Sequence, residues 1–575
     1  MNILGVGSPF GHDPAAALLV DGKVVAAVEE ERLIRLKHAV DKMPLRSIEF
    51  CLGYAGLSPR DIDVVAYPWS YQALRDKRGE YLWRTIWAKP SRAYKKFFRC
   101  RRELAIQKAF LENTLACAGF KPDKTRIRWV EHHLAHAASA FYLSGFGRAA
   151  VLSIDGGGEI TATLLAAAQG NHIRKIKEII APDSLGNFYS TLTDYLGFCR
   201  QDGEYKVMGM APYGETSRVD FGRIIYWKNG CYHCNDDYVW VARNRRARPD
   251  KVYSRKMVEE FGPPREGDGL SEPYIHIAAA TQDKLEEMAL RLIETYLADT
   301  LRDCQGRLVF AGGCALNVSL NRKIIGHPLV KRLWVQPASN DSGSALGAAV
   351  EAAVSGGEDI TPMDNVYLGP EFDAAAIERE LKKAAFVYRR EGDIADAASR
   401  LLEQGEVVGW FQGRAEWGPR ALGNRSILGN PTIAGTADKI NAMIKFREKW
   451  RPFCPAILAE HAGDILGSNH PAPFMTFAFE VAEGWRKRIA EVVHVDGTAR
   501  PQIVDEQTNP LFYRLLKSFY ARAGVPVVIN TSLNRRGEPM VCSPADALMM
   551  FSQSGLQYLA MGEYLLSKKS LPNNY

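Results

Sequence analysis

The strongest constraint on this fold is an internal echo. Residues 3–7 read as a strand, followed by the turn Gly11-His12-Asp13-Pro14, a strand over 15–20, a tight Asp21-Gly22 turn and a strand over 23–28. The same order returns at 149–154: a strand, Asp155-Gly156-Gly157-Gly158, a strand over 160–168, a short polar turn and a strand over 172–180. Repetition of this grammar predicts a duplicated α/β fold with two similar lobes, the first turn of each facing a shared cleft. A chain of 575 residues exceeds what one hydrophobic core organises, so a further domain is expected. The shift to Ser, Gly, Pro and Asp around 354–370 marks a linker, giving domains over 1–354 and 371–575.

Bulk composition narrows the class. Hydrophobic residues make up 46% and charged residues 24%, as in soluble globular proteins, and a formal charge of +7 is too small at this length to imply nucleic acid. No apolar run approaches the roughly 20 residues that span a bilayer. The first residues lack the basic region and apolar core of a signal peptide, so a cytoplasmic protein without membrane association is expected. The ten cysteines are scattered, as reduced thiols would be. The pair in Cys231-Tyr232-His233-Cys234 follows an Asn229-Gly230 turn and has no second pair to complete a zinc site, so its role is structural.

Chemistry concentrates at Glu131-His132-His133-Leu134-Ala135-His136. On a helix His132 and His136 share one face, so their imidazoles can converge on one cation. Asp155, at the end of an apolar strand, adds a carboxylate, and two imidazoles with a carboxylate leave coordination positions open for catalysis. A bare H-x-x-x-H is equally compatible with a capping pair beside an ordinary turn; Asp155 tips the balance toward a metal. Further along, an amphipathic segment over 275–304 feeds a strand over 307–311 and Gly312-Gly313-Cys314-Ala315-Leu316-Asn317. A strand over 333–336 reaches Asn340-Asp341-Ser342-Gly343-Ser344 and an Ala-rich helix. Glycine turns between strand ends and helix starts suit phosphate binding through free backbone N–H groups.

Beyond the linker, helices over 374–385 and 394–403 lead to a strand over 407–411. The segment 413–451 then carries Arg414, Arg420, Arg425, Arg447 and Arg451, mostly on loops. Guanidinium forks hold phosphate oxygens bidentately, which suits a polyanionic substrate. A strand over 527–529, with Pro526 at its start, ends in Asn530-Thr531-Ser532-Leu533-Asn534. The basic, aromatic stretch 81–102 reads best as an exposed amphipathic helix pair; an acceptor lid is the sharper alternative, and nucleic-acid binding a weaker one.

In order along the chain, Gly11-His12-Asp13, Glu29-Glu30-Glu31-Arg32 with Lys37-His38, Glu131–His136, the 206–214 segment Lys-Val-Met-Gly-Met-Ala-Pro-Tyr-Gly, 312–317, Gly418-Pro419-Arg420-Ala421-Leu422-Gly423, Trp450-Arg451-Pro452-Phe453 and Asn530-Thr531-Ser532 carry a resemblance. The chain resembles, nearly end to end, the NodU/CmcH-type O-carbamoyltransferases of nodulation-factor, cephamycin and aminoglycoside biosynthesis. Two stretches depart from that pattern: Glu204-Tyr205-Lys206 and 81–102.

The resemblance implies an actin, heat-shock-chaperone and sugar-kinase-like N-terminal domain, similar to the tRNA threonylcarbamoyl-transfer protein, and a YrdC-like C-terminal domain. It implies carbamoyladenylate formation from carbamoyl phosphate and ATP with Mg²⁺ in the second domain. Transfer to a hydroxylated small-molecule acceptor would follow in the first. It places a divalent metal, Fe²⁺, on His132, His136, Asp155 and Asp341. Carbamoyl phosphate and nucleotide contacts fall on Arg420, Arg451, Asn530 and Ser532, and adenylate contacts on Gly157, Gly158, Gly312, Gly313 and Asn317. His12 is expected beside the transferred group as a general base, with Lys37 in the matching basic segment; a homodimer is the expected assembly. Other readings are tRNA threonylcarbamoylation, hydrogenase maturation, or a non-catalytic ATP-binding module. The acceptor's identity is not encoded in any motif.

Overall fold

In a computed structural model, which describes residues 1–7, 10–87, 89–384 and 386–568, the chain divides into two compact units. The first comprises Met1–Ala27 and Asp41–Met363, the second Val28–Val40 and Asp364–Tyr575. The segment Val28–Val40 thus clusters with the C-terminal residues, an assignment that linear domain boundaries do not anticipate.

Among the described residues, twelve strands form in the first part of the chain: β1 (Asn2–Gly7), β2 (Ala15–Val20), β3 (Lys23–Glu29), β4 (Val64–Tyr67), β5 (Ile127–Trp129), β6 (Arg148–Ile154), β7 (Thr161–Gln169), β8 (His172–Ile180), β9 (Ile225–Lys228), β10 (Cys231–Cys234), β11 (Arg307–Ala311) and β12 (Arg332–Val335). One five-stranded sheet runs β3-β2-β1-β4-β5 and another β8-β7-β6-β11-β12, the same order twice. In each, the first strand pairs antiparallel with the second and parallel with the fourth. The duplication expected from the sequence is therefore present in the strand order itself. Strands β1, β2 and β6 are almost wholly buried, as continuous apolar runs require.

Small residues set the packing between the sheets and their helices. Helix Asp341–Ser355 is buried nearly all round. A Cβ at Gly347 would collide with the Ala135 carbonyl oxygen of helix His132–Phe141. Glycine there lets the two backbones touch. Ala137, Ala140 and Phe141 on the same helix pack with Val151, Leu164 and Val309 of the second sheet.

The amphipathic segment near 275–304 is helix Tyr274–Leu292 continued by a π-helical turn, Ile293–Leu297, and helix Ala298–Asp303. Cys231 and Cys234 lie in the β9–β10 hairpin, and all ten cysteines are free thiols. The stretch 81–102 belongs to three helices, not a pair: Tyr71–Thr85, Pro90–Phe98 and Cys100–Cys117. Lys77 ties the first of them to Glu131 and Glu178, Arg84 to Asp183, and Lys96 of the second donates to the Glu159 carbonyl at 2.7 Å.

The second unit is built on β13 (Val387–Arg390), β14 (Val408–Phe411), β15 (Arg425–Gly429), β16 (Cys454–Leu458), β17 (Phe479–Glu480), β18 (Thr498–Ala499), β19 (Gln502–Val504), β20 (Val527–Ser532), β21 (Tyr558–Met561) and β22 (Tyr564–Ser567). An eight-stranded mixed sheet runs β13-β22-β21-β14-β15-β20-β16-β19. Helices Ile394–Glu403 and Pro510–Ala523 cover it through Leu401, Leu402, Phe512, Leu516 and Phe519. Helix Ala374–Ala384 begins where expected; its anticipated last residue, Ala385, lies outside the described residues. Strand β20 runs on through Ser532, because Asn530 and Ser532 pair with Leu428 and Ser426 of β15. Among the described residues no helix is long and apolar enough to cross a membrane.

Candidate functional site

In the first unit, four side chains converge as the sequence suggests. One ligand atom each from His132, His136, Asp155 and Asp341 lies within 4.8 Å of the other three. His132 and His136 stand one turn apart on their helix, with their Nε2 atoms 3.1 Å from each other. Asp155 follows the last residue of β6, and Asp341 opens the helix that Gly347 brings against Ala135. The His132 Nε2 atom lies 3.5 Å from an oxygen of each aspartate, and His136 Nε2 lies 3.8 Å from Asp341 Oδ1.

The glycine turns hold this arrangement in place. Gly313 N–H donates to Asp155 Oδ1 at 2.9 Å. Gly312, at φ +87°, presses on the Ile154 backbone where a side chain would clash. Gly158 lies against the His132 Cβ, and Ser184 and Asn187 both donate to the Gly156 carbonyl. Gly157 continues the same turn. Asn317, expected to meet an adenylate, caps helix Val318–Ile325 through Leu320 N–H and exchanges hydrogen bonds with Gln282. Its amide is engaged in the fold.

The donor set suits a cation. Two imidazole nitrogens facing each other at 3.1 Å can share a proton or a cation, and their buried Nδ1 atoms find no partner among the described residues. Burial disfavours a charged His132, yet Asp341 and Asp155 override it and raise its pKa to about 10. Burial likewise opposes ionisation of Asp155 and Asp341, but the histidines hold both carboxyls low, Asp155 at about 2. Without a metal, a proton takes the cation's place. Two nitrogens and two carboxylates fit a divalent ion of the iron or manganese type at least as well as zinc. His12 joins this group, with Nε2 3.6 Å from Asp341 Oδ2 and Nδ1 3.3 Å from Asp13. Burial lowers its pKa, but Asp341 and Asp13 raise it to about 9. Its ring therefore carries a proton at neutral pH for as long as Asp341 keeps its free charge.

Lys37 belongs to a different part of the chain's packing. It lies in the second unit, where its charge, with those of Arg447 and Arg451, bears on Lys445. Lys445 is the functional candidate that sequence reading missed. Its buried ammonium donates to Ser532 Oγ and to the carbonyl and side chain of Asn534. Burial, then the neighbouring cations, hold its pKa well below the usual range. The signal the sequence offers is its place in the basic segment 413–451. Arg451, partly exposed, pairs with Glu448 at 3.3 Å. Asn530 is fully buried and donates to Gln502 at 2.8 Å, while its Oδ1 has no partner among the described residues.

The loop bearing Arg420 is clamped from two sides. Glu416 Oε1 accepts from Leu422, Asn424 and Arg425 N–H groups. Glu29 accepts from Gly418 N–H at 2.7 Å, while Arg32 donates to the Gly418 carbonyl at 2.8 Å. The Glu-Glu-Glu-Arg motif near the start of the chain thus serves this loop. Two of the five arginines are structural. Arg425, on β15 and not on a loop, is fully buried, donates to the carbonyls of Gln412, Asn424, Pro370 and Gly413, and stacks 3.7 Å over Phe411. Arg414 donates to the Gly369 and Leu368 carbonyls.

Comparison with known proteins follows the same division. The family described as carbamoyltransferase N-terminus matches residues 2–350, and that described as carbamoyltransferase C-terminus matches 399–568. Nodulation protein NolNO of Sinorhizobium fredii is 37% identical over 99% of this chain and 81% of its own. The 3'-hydroxymethylcephem-O-carbamoyltransferase of Amycolatopsis lactamdurans is 31% identical over 71% of this chain and 74% of its own. The solved structure of T. kodakarensis HypF aligns over 63% of this chain and 48% of its own, with 15% identity and a TM-score of 0.30. The fold therefore rests on the strand order instead.

Proposed function

Because the chain belongs to the carbamoyltransferase family and is an enzyme of that class, we propose that it carbamoylates a hydroxyl of a small-molecule acceptor by an ATP-dependent route through carbamoyladenylate. The observation that carries this reading is a pair of constellations of opposite charge, one in each unit. His132, His136, Asp155 and Asp341 can hold a cation, while Lys37, Arg447 and Arg451 concentrate positive charge around the buried Lys445 beside Ser532.

In the second unit, the YrdC-like one, carbamoyl phosphate and ATP bring several negative charges to one place. Arg451 and Arg420 hold their phosphates bidentately, and Lys445 fixes the Ser532–Asn534 backbone that borders them. Water releases phosphate from carbamoyl phosphate. The resulting carbamate attacks the α-phosphorus of ATP, and pyrophosphate leaves.

In the first unit, His132, His136, Asp155 and Asp341 would hold a divalent ion, iron by this proposal, which supplies Lewis-acid polarisation of the carbamoyl carbonyl. The turns at Gly157–Gly158 and Gly312–Gly313 receive the adenylate by backbone contact. Once Asp341 is engaged as a ligand and no longer holds His12 protonated, the neutral imidazole takes the proton of the acceptor hydroxyl as its oxygen bonds to the carbamoyl carbon and AMP leaves.

Two variants test the division of labour. Arg451→Ala should cut pyrophosphate release by roughly 10- to 150-fold, the loss of one charge-assisted hydrogen bond. His136→Ala should keep pyrophosphate release and lose acceptor carbamoylation. Separately prepared carbamoyladenylate should rescue the first variant and not the second. Equal loss of pyrophosphate release in both, with neither rescued, would refute the two-site route.

A further inference from the structure

A second basic constellation lies in the first unit, apart from the residues assigned to the cation site and the anion site above. Trp240 sits at its centre, largely buried and with its backbone in the left-handed region at φ +57°, a conformation that a bulky residue keeps only when its surroundings enforce it. The Lys89 ammonium lies 3.7 Å from the Trp240 ring centroid and the Arg92 guanidinium 5.2 Å from it. Arg246 is close enough to Arg200, Arg243 and Arg92 that, after burial, their charges lower its pKa. Its Nε atom is buried without a partner among the described residues. Three chain segments, around 89–92, 200 and 240–246, thus bring four arginines and Lys89 together.

Carboxylates nearby do not balance them. Asp194 acts on Arg246 but is already bound by Lys251 and by the Val252 N–H at 2.8 Å. Asp236 acts on Lys89, whose pKa is nonetheless driven down to about 6 by burial and by Arg92 and Arg246. Uncompensated like charges oppose folding, and a cluster with four arginine forks matches a tetrahedral oxyanion. The constellation is also tied to the cation site. Arg92 and Lys96 are one helical turn apart, roughly 6 Å along the axis. Lys96 holds the carbonyl of Glu159, whose carboxylate accepts from His132 N–H.

We propose that Lys89, Arg92, Arg200, Arg243 and Arg246, gathered around Trp240, form a binding site for a phosphate group separate from the carbamoyl phosphate and ATP contacts of the second unit. A phosphate carried by an organic molecule and a free inorganic anion share this chemistry. Only its use in seating a phosphorylated acceptor rests on the transfer reaction proposed above; the binding itself does not.

Calorimetric titration of the full-length protein tests it, with inorganic pyrophosphate and glucose 1-phosphate as probes and Arg451→Ala as the background that weakens the other anion site. Saturable binding of at least one probe should persist in Arg451→Ala. It should weaken by roughly 10-fold or more when Arg243→Gln alone is added, and further with Lys89→Gln and Arg246→Gln. Arg243→Lys, which keeps the charge but loses the fork, should fall between. Tighter binding of glucose 1-phosphate marks an organic carrier, and tighter binding of pyrophosphate a free anion. Absence of saturable binding in Arg451→Ala overturns the site. So does residual binding indifferent to the exposed Arg243→Gln change, a substitution that leaves no buried group behind and keeps the test valid if the triple variant does not fold.

Discussion

The cation site of the first unit and the Arg420 loop of the second are assembled in different ways. His132, His136, Asp155 and Asp341 stand at the ends or on the faces of regular elements, and each element is fixed by its own apolar pattern. The Arg420 loop has no such frame. Its backbone is held by buried carboxylates, Glu416 from within the loop and Glu29 from almost 400 residues away in sequence. A site on packed elements inherits its precision from the core. A site on a loop must be built from specific polar contacts, each costly to lose.

If that contrast is right, four changes should behave differently. The largest effect is expected from His132→Ala combined with His136→Ala. Changes behind the ligands already cost about 10- to 100-fold in metal affinity, so losing two ligands should exceed roughly 1,000-fold while circular dichroism stays native. Elemental analysis with metal content equal to the parent would refute the cation site. Next is Glu416→Gln, expected to cost about 1.5–3 kcal/mol in denaturant unfolding and to suppress pyrophosphate release with metal content unchanged. A loss of bound metal in this variant would break the contrast.

Gly347→Ala should cost about 1–3 kcal/mol, because the added methyl forces apart the helices that carry His136 and Asp341. Here stability and metal affinity should fall together; unaltered affinity would mean that helix contact does not set the ligand geometry. Smallest is the basic helical stretch 81–102. Lys95→Ala and Arg99→Ala alter exposed side chains and should stay within about 0.5 kcal/mol of the parent. Lys96→Ala, which loses its bond to Glu159, should cost about 1 kcal/mol. A higher acceptor KM in the Lys95 and Arg99 variants, at unchanged stability, would instead favour an acceptor lid.

Much of the first unit was legible because periodicity and glycine placement report local structure directly. The repeated strand order, the shared face of His132 and His136, and the strand that delivers Asp155 all follow from patterns of two to seven residues. Chain length alone points to more than one core. What sequence could not rank was the purpose of similar residues. Arg425 and Arg451 look alike in a basic segment, yet one is sealed among four backbone carbonyls and the other lies partly exposed beside Glu448. Lys37 and His12 are near neighbours along the chain and belong to different units. Lys445 was hidden among arginines, and Asn317 proved to be a helix cap. Local pattern determines which elements form and which face of each is polar, because those depend on neighbours within a few residues. Which charge meets which partner is decided only when distant segments pack, since desolvation and electrostatic neighbours depend on the whole tertiary structure.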